Sequence, residues 1–299
     1  MVEKIEIPGM SILFDYITGG DLLGKSFELT NCSNLYMYAR NNVIKVNFDT
    51  SKTTNMNNMF RGSENAVGIL GTFNTSKVTN MSYMFGDCKK LIKAPNMDTS
   101  SATNMSYLFY NCEKLLEIPY MDTSSVTNMS SAFSNCRVIK TIPKLDFSNV
   151  TNVSQLFNYC SQLIEVPDLN CSKVTNFGGS SYSTWVSNTS KLTRIGVIDC
   201  DACTDVSYVL ASSSNNNLIH LGGFRNLGKA SSVSNTNSNY FLNYAPNLTY
   251  ESVINVLNGL YDRASAGLSV LTLKLHANHM ALLSDEDKAI ATNKGWTLS

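Results

Sequence analysis

Three kinds of residue in this chain have types and spacings that could do chemistry. Cys200 and Cys203 form a C-x-x-C pair within "CDAC", the spacing of a dithiol redox centre or half of a zinc site. No second pair and no histidine at ligand spacing accompanies it, so a metal or redox role finds no support beyond the spacing. Carboxylates recur at Asp98, Asp122 and Asp146, and two such acids on neighbouring segments could act as the acid and base of a glycan hydrolase. Each sits in a "DTSS"-like turn, where an aspartate hydrogen-bonds its own backbone, and turn formation accounts for it. His220, His276 and His279 are the only histidines, and the last two flank "AN" without a carboxylate or cysteine pattern. No P-loop, G-x-G-x-x-G or G-x-S-x-G is present. The expectation is a chain with no catalytic residues, no metal and no cofactor.

The same regularity that spaces the aspartates organises the whole chain. The Asn of a Thr-Asn pair falls at Asn80, Asn104, Asn128, Asn152 and Asn176, with a first copy at Asn55. Phe60, Phe85, Phe109, Phe133 and Phe157 keep step, as do Cys88, Cys112, Cys136 and Cys160, and Pro95, Pro119, Pro143 and Pro167. Four residue types holding one period of about 24 residues define a repeat array. Within each unit Met105, Leu108 and Phe109 follow an i, i+3, i+4 pattern, which predicts a short helix with Thr103 as its cap. Leu115, Ile118 and Met121 predict an extended stretch facing inward, and Pro119 keeps it from being helical. One unit cannot cover its own apolar faces, but stacked neighbours cover each other. The four repeating cysteines then point into the stack as buried free thiols.

These strings, "DTSSVTNMSSAF" with its partners "DTSSATNMSYLF" and "DFSNVTNVSQLF", resemble the BspA-type leucine-rich repeat of bacterial surface proteins. The resemblance implies an α/β repeat solenoid: a right-handed, leucine-rich-repeat-like stack of strand-turn-helix units with terminal caps. It also implies adhesion or binding, with no catalytic residues to carry over. The end of the chain, "LSDEDKAIATNKGWTLS", is more loosely similar to closing segments of such arrays in bacterial and bacteriophage tail-associated proteins. The expected organisation is an N-terminal cap or attachment segment at 1–25, the solenoid at 26–247 and a helix-strand cap at 248–299.

Composition narrows the partners. Lys plus Arg equals Asp plus Glu at 23 each, so no net field draws the chain to nucleic acid or anionic lipid. No apolar run reaches the roughly 20 residues needed to cross a bilayer, and the first residues do not read as a signal peptide. With free thiols and no visible leader, the expected setting is a protein assembled in a cytoplasm, such as a bacteriophage virion or tail component. A bacterial cell-surface adhesin is the alternative, and a glycan-active enzyme a distant third. The expected partner is a protein or glycan on a cell surface. On the outward strand positions one row reads Lys93, Glu117, Thr141, Glu165 and the next Asn96, Tyr120, Lys144, Asp168. Alternating signs argue against a phosphate-tracking stripe. Tyr120, Lys144 and Asp168 are therefore the candidate binding residues. Trp185, beside Tyr182 on the lengthened unit after Asn176, is a fourth candidate as an exposed anchor or, alternatively, the filler of a wider rung.

Overall fold

The computed structural model describes residues 30–46, 49–71, 74–175, 177–178, 184–204, 215–230, 242–243 and 245–299. The expected N-terminal cap at 1–25 and Tyr182 lie outside the described residues.

The repeats stack as a solenoid whose rungs are joined by parallel pairing. Asn31, Asn55, Asn80, Asn104, Asn128 and Asn152 bridge one another in succession. Parallel strands add to the stack where pairing is longest. β1 (Val43–Val46) pairs with β2 (Gly68–Gly71). β3 (Glu165–Val166), β4 (Arg194–Asp199) and β5 (His220–Arg225) form one sheet in that order.

The expected helix in each unit is not formed. The segment after each Asn is a ribbon of consecutive tight turns, and its hydrogen bonds show why. Met59 N–H donates to Met56 O and Arg61 N–H to Asn58 O, each closing a turn within the rung. The alternate donors reach forward instead: Met56 to Asn80 O, Asn58 to Ser82 O and Phe60 to Met84 O. Half of the N–H groups that a helix would bond internally thus go to the neighbouring rung. Residues three and seven places after the Asn hold φ near +60°, as at Tyr83 (55°), Asp87 (61°), Tyr107 (58°) and Asn111 (60°). An α-helix has no place for left-handed residues at that interval, whereas the third position of a type II turn requires one. The threonines are not helix caps either. Thr103 Oγ1 donates to Thr79 O and Thr127 Oγ1 to Thr103 O, 3.2 Å each, so they tie rung to rung. The Asn side chain opens the ribbon: Asn104 Oδ1 accepts from Ser106 N–H and Asn128 Oδ1 from Ser130 N–H, both at 3.0 Å.

The ribbon nonetheless buries the residues that the helical pattern selects. Met105, Leu108 and Phe109 are fully buried, as are their counterparts in neighbouring rungs. The phenylalanines form a continuous internal stack, with Phe60–Phe85, Phe85–Phe109, Phe109–Phe133 and Phe133–Phe157 centroids 5.4, 5.2, 6.0 and 5.7 Å apart. Near-parallel offset rings at this spacing add stacking energy to the area that they bury. Leu115, Ile118 and Met121 close the opposite side of the core, as their spacing predicts.

After the solenoid the chain changes character. α1 (Tyr250–Asn258) is capped by Thr249, whose side chain accepts from Ser252 N–H. β6 (Leu271–Leu273) pairs in parallel with β7 (Trp296–Leu298), and α2 (Ala277–Leu282) and α3 (Asp285–Thr292) lie between them in sequence. α3 begins with a reciprocal Ser284–Asp287 capping box. Gly259 at the end of α1 passes so close to Phe224 that a Cβ would stand 1.6 Å from its carbonyl oxygen, which excludes any other residue there.

Candidate functional site

The outward positions of the strand side carry the candidate residues. Register is set by the backbone: Ile92 N–H donates to Val67 O, Leu116 to Ile92 O, Ile164 to Lys140 O and Thr193 to Ile164 O. Glu165 pairs with Arg194, and Arg194 with His220. The first expected row therefore continues as Lys93, Glu117, Thr141, Glu165, Arg194, His220, and all six residues are exposed. In the second row Asn96, Tyr120, Lys144 and Asp168 are exposed, and Val197 follows them.

Three of the four candidate residues lie together on this face. Tyr120 is 80% exposed, the most open of the large apolar and aromatic residues among those described. It borders a shallow depression shared with Lys93, Asn96, Glu117 and Pro119, so the two rows line one surface. Lys93 Nζ lies 3.5 Å from Glu117 Oε1 across it, an exposed pair of small energetic weight. Lys144 makes no ion pair among the described residues. Asp168 has a structural duty as well: its Oδ1 accepts from Val197 N–H at 2.7 Å, and Gly196 leaves room for that oxygen.

Trp185 is not an exposed anchor but the filler of the wider rung. It is wholly buried and closes the aromatic stack edge-on, 6.3 Å from Phe157 and 5.9 Å from Phe177. Phe157 N–H donates to Trp185 O, which puts Trp185 in the register of Leu156 and puts Val186 where the next Phe would stand. The larger ring fills the space that the missing Phe leaves. The unit is lengthened without breaking the ribbon, because Trp185 N–H reaches Phe177 O just as Leu156 N–H reaches Val153 O.

Sequence reasoning missed a further row. Immediately before the charged row run Val67, Ile92, Leu116, Lys140, Ile164, Thr193 and Ile219, and Leu116 is 63% exposed. The signal was the doubled "LL" at Leu115–Leu116: one leucine fills the core and the other must face out.

The other chemical candidates are absorbed by the fold. Asp98 and Asp122 accept from Ser100 and Ser124 N–H at 3.1 and 3.0 Å. Hydrogen bonds from those same serines, side chain first, hold both carboxyls below their ordinary range. His279 is buried with Nε2 2.7 Å from Ala245 O, and His276 caps α2. Among the described residues no three His, Cys, Asp or Glu side chains group to hold a metal ion. No described helix is long and apolar enough to cross a membrane.

All eight cysteines are buried, and none forms a disulfide. The ladder thiols each donate to the carbonyl of a Phe one rung back: Cys88 to Phe60 O, Cys112 to Phe85 O, Cys136 to Phe109 O and Cys160 to Phe133 O, at 3.1–3.2 Å. Burial pushes the Cys88 thiol up to about 12, and Cys112 and Cys160 well above the usual thiol range. The reactive thiolate is thereby suppressed at neutral pH. Alkylation of native protein at pH 7–8 should leave these four unlabelled by peptide mass spectrometry, with full labelling after denaturation. Rapid native labelling of any of them would contradict their placement.

Neither the curated proteins nor the solved structures contain a match to this chain. The family described as "Mycoplasma protein of unknown function, DUF285" matches residues 30–139 and 92–195, the stretch that holds the Phe stack, the Cys ladder and the candidate face. Those matches together cover more than half of the 299 residues, and the chain belongs to the DUF285 family.

Proposed function

We propose that this chain is a non-enzymatic recognition module of the BspA-like kind, binding a protein or glycan on a cell surface through the exposed strand rows. One observation carries the reading. Inside the rungs the same letters recur, whereas outside them one row spells Asn, Tyr, Lys, Asp and another Ile, Leu, Lys, Ile. Variation confined to the outside of a fixed scaffold is how a repeat protein builds a specific surface. Tyr120 supplies an open aromatic face beside the polar groups of Asn96, Lys93 and Glu117, a combination suited to a sugar ring or an apolar side chain. The family's description names mycoplasma proteins, which favours a bacterial cell surface over the bacteriophage virion as the setting.

Titration of the protein on glycan arrays and whole cells tests this. Tyr120→Ala should weaken binding at least about tenfold, the loss of one interface anchor, while the fold is retained. Affinity should change little between low and moderate salt, since the charges on the face alternate in sign. Unchanged affinity in Tyr120→Ala would remove the site from this face.

A further inference from the structure

The charges on the strand face are arranged so that the face complements itself. Take two copies face to face, related by a two-fold axis that runs along the strand direction between the Lys144 and Asp168 rungs. Such an axis keeps each row opposite its own row and reverses the order of rungs. Lys144 then faces Asp168 of the other copy, and Glu117 faces Arg194. Ile92 faces Ile219 in the neighbouring apolar row, and Tyr120 faces Val197. Thr141 faces Glu165, Lys93 faces His220 and Lys140 faces Ile164, so no carboxylate meets a carboxylate and no lysine or arginine meets another. The register is specific: moving the axis by half a rung one way opposes Lys93 to Arg194 and Glu117 to Glu165. Moving it half a rung the other way opposes Glu165 to itself. We propose that a second copy of this chain is a partner of the strand face, docked antiparallel in this register.

The proposal rests on the reading of the strand face as a contact surface and names one occupant for it. Lys144 and Arg194 are exposed and form no ion pair among the described residues. Asp168 commits one carboxylate oxygen to Val197 N–H, which leaves the other for a lysine. Glu117 is held only by the exposed Lys93. At about 4.8 Å per rung the patch from Lys93 to His220 is roughly 24 Å long. It is three rows wide, which puts the contact at the small end of specific interfaces. The dimer is accordingly weak, concentration-dependent and weakened by salt.

Sedimentation velocity over a concentration series from about 1 to 200 µM, at low and moderate salt, reads the association. The native chain should show a reversible monomer–dimer equilibrium that salt shifts toward monomer. Lys144→Glu or Asp168→Lys alone should raise the dissociation constant about tenfold or more, because each sets like charges opposite one another. Combined in one chain they should return it to near the native value. Because Asp168 also braces Val197, the pair Glu117→Arg and Arg194→Glu repeats the test without touching that bond. A chain that stays monomeric throughout would overturn the proposal, as would single reversals without effect or double reversals that rescue neither pair. If association fails while Tyr120→Ala still loses cell or glycan binding, this inference falls and the recognition reading stands. If the reversals behave as expected while Tyr120→Ala binds cells and glycans like the native chain, the foreign ligand falls and the self-contact stands.

Discussion

Phe109→Ala should cost about 3–5 kcal/mol of folding free energy, the loss associated with emptying a buried aromatic site, whereas Tyr120→Ala should cost little. Phe109 is fully buried, with Phe85 and Phe133 stacked on either side at 5.2 and 6.0 Å, so its removal leaves two ring faces against a void. The rungs above and below cannot collapse into that space, because the forward hydrogen bonds Phe85 N–H to Leu108 O and Phe109 N–H to Ala132 O fix their separation. Chemical denaturation followed by circular dichroism measures both variants. Equal losses at positions 109 and 120 would mean that the assignment of inside and outside is wrong.

Arg263→Met should cost about 1–3 kcal/mol, by a different mechanism, the loss of the donor to a buried carbonyl. Arg263 is wholly buried at the closing end of the solenoid, and among the described residues no carboxylate pairs with it. Its guanidinium is satisfied by the backbone: Nε donates to Ser269 O at 2.6 Å, and Nη1 to Gly228 O and, at 3.4 Å, to Ala230 O. Nη2 adds Ser269 Oγ at 3.3 Å. Methionine fills the volume but leaves the buried Gly228 carbonyl without its donor. Arg263→Lys keeps a charge yet loses the planar fork that reaches several acceptors at once, and should lie between the two. Thermal denaturation measures the series, and limited proteolysis should cut first between 226 and 270. A native melting temperature for Arg263→Met would show that these bonds carry no net stability.

The repeat, its inward residues and the buried cysteines were legible because they depend only on period and on apolarity, and both are written in the letters. The helix was not. An i, i+3, i+4 pattern reports which side chains go in, and a ribbon of tight turns buries that same set. The distinguishing signal lay in the residues between: Asn34, Asn58, Gly62, Asp87, Asn111 and Asn135 are types that tolerate positive φ. Tyr83, Tyr107, Gln155 and Tyr159 occupy equivalent places and obscure it. Of the site, the rows of Lys93 and Tyr120 followed from spacing alone. Trp185 did not, because the direction of a side chain in a lengthened unit depends on which neighbour is missing. There the absence of a Phe in the stack outweighed the general tendency of insertions to face solvent.

The alternation of donors in the turn ribbon has a mechanical consequence. Every second N–H bonds forward to the next rung, while the Thr column and the strand side bond backward, so the stack is held by bonds that lie along its long axis. A load that pulls the two ends apart acts on those bonds directly and meets them one rung at a time instead of all together. Each rung that peels away frees its 24 residues, about 80 Å of extended chain. Under tension the molecule lengthens in steps and holds its remaining rungs intact.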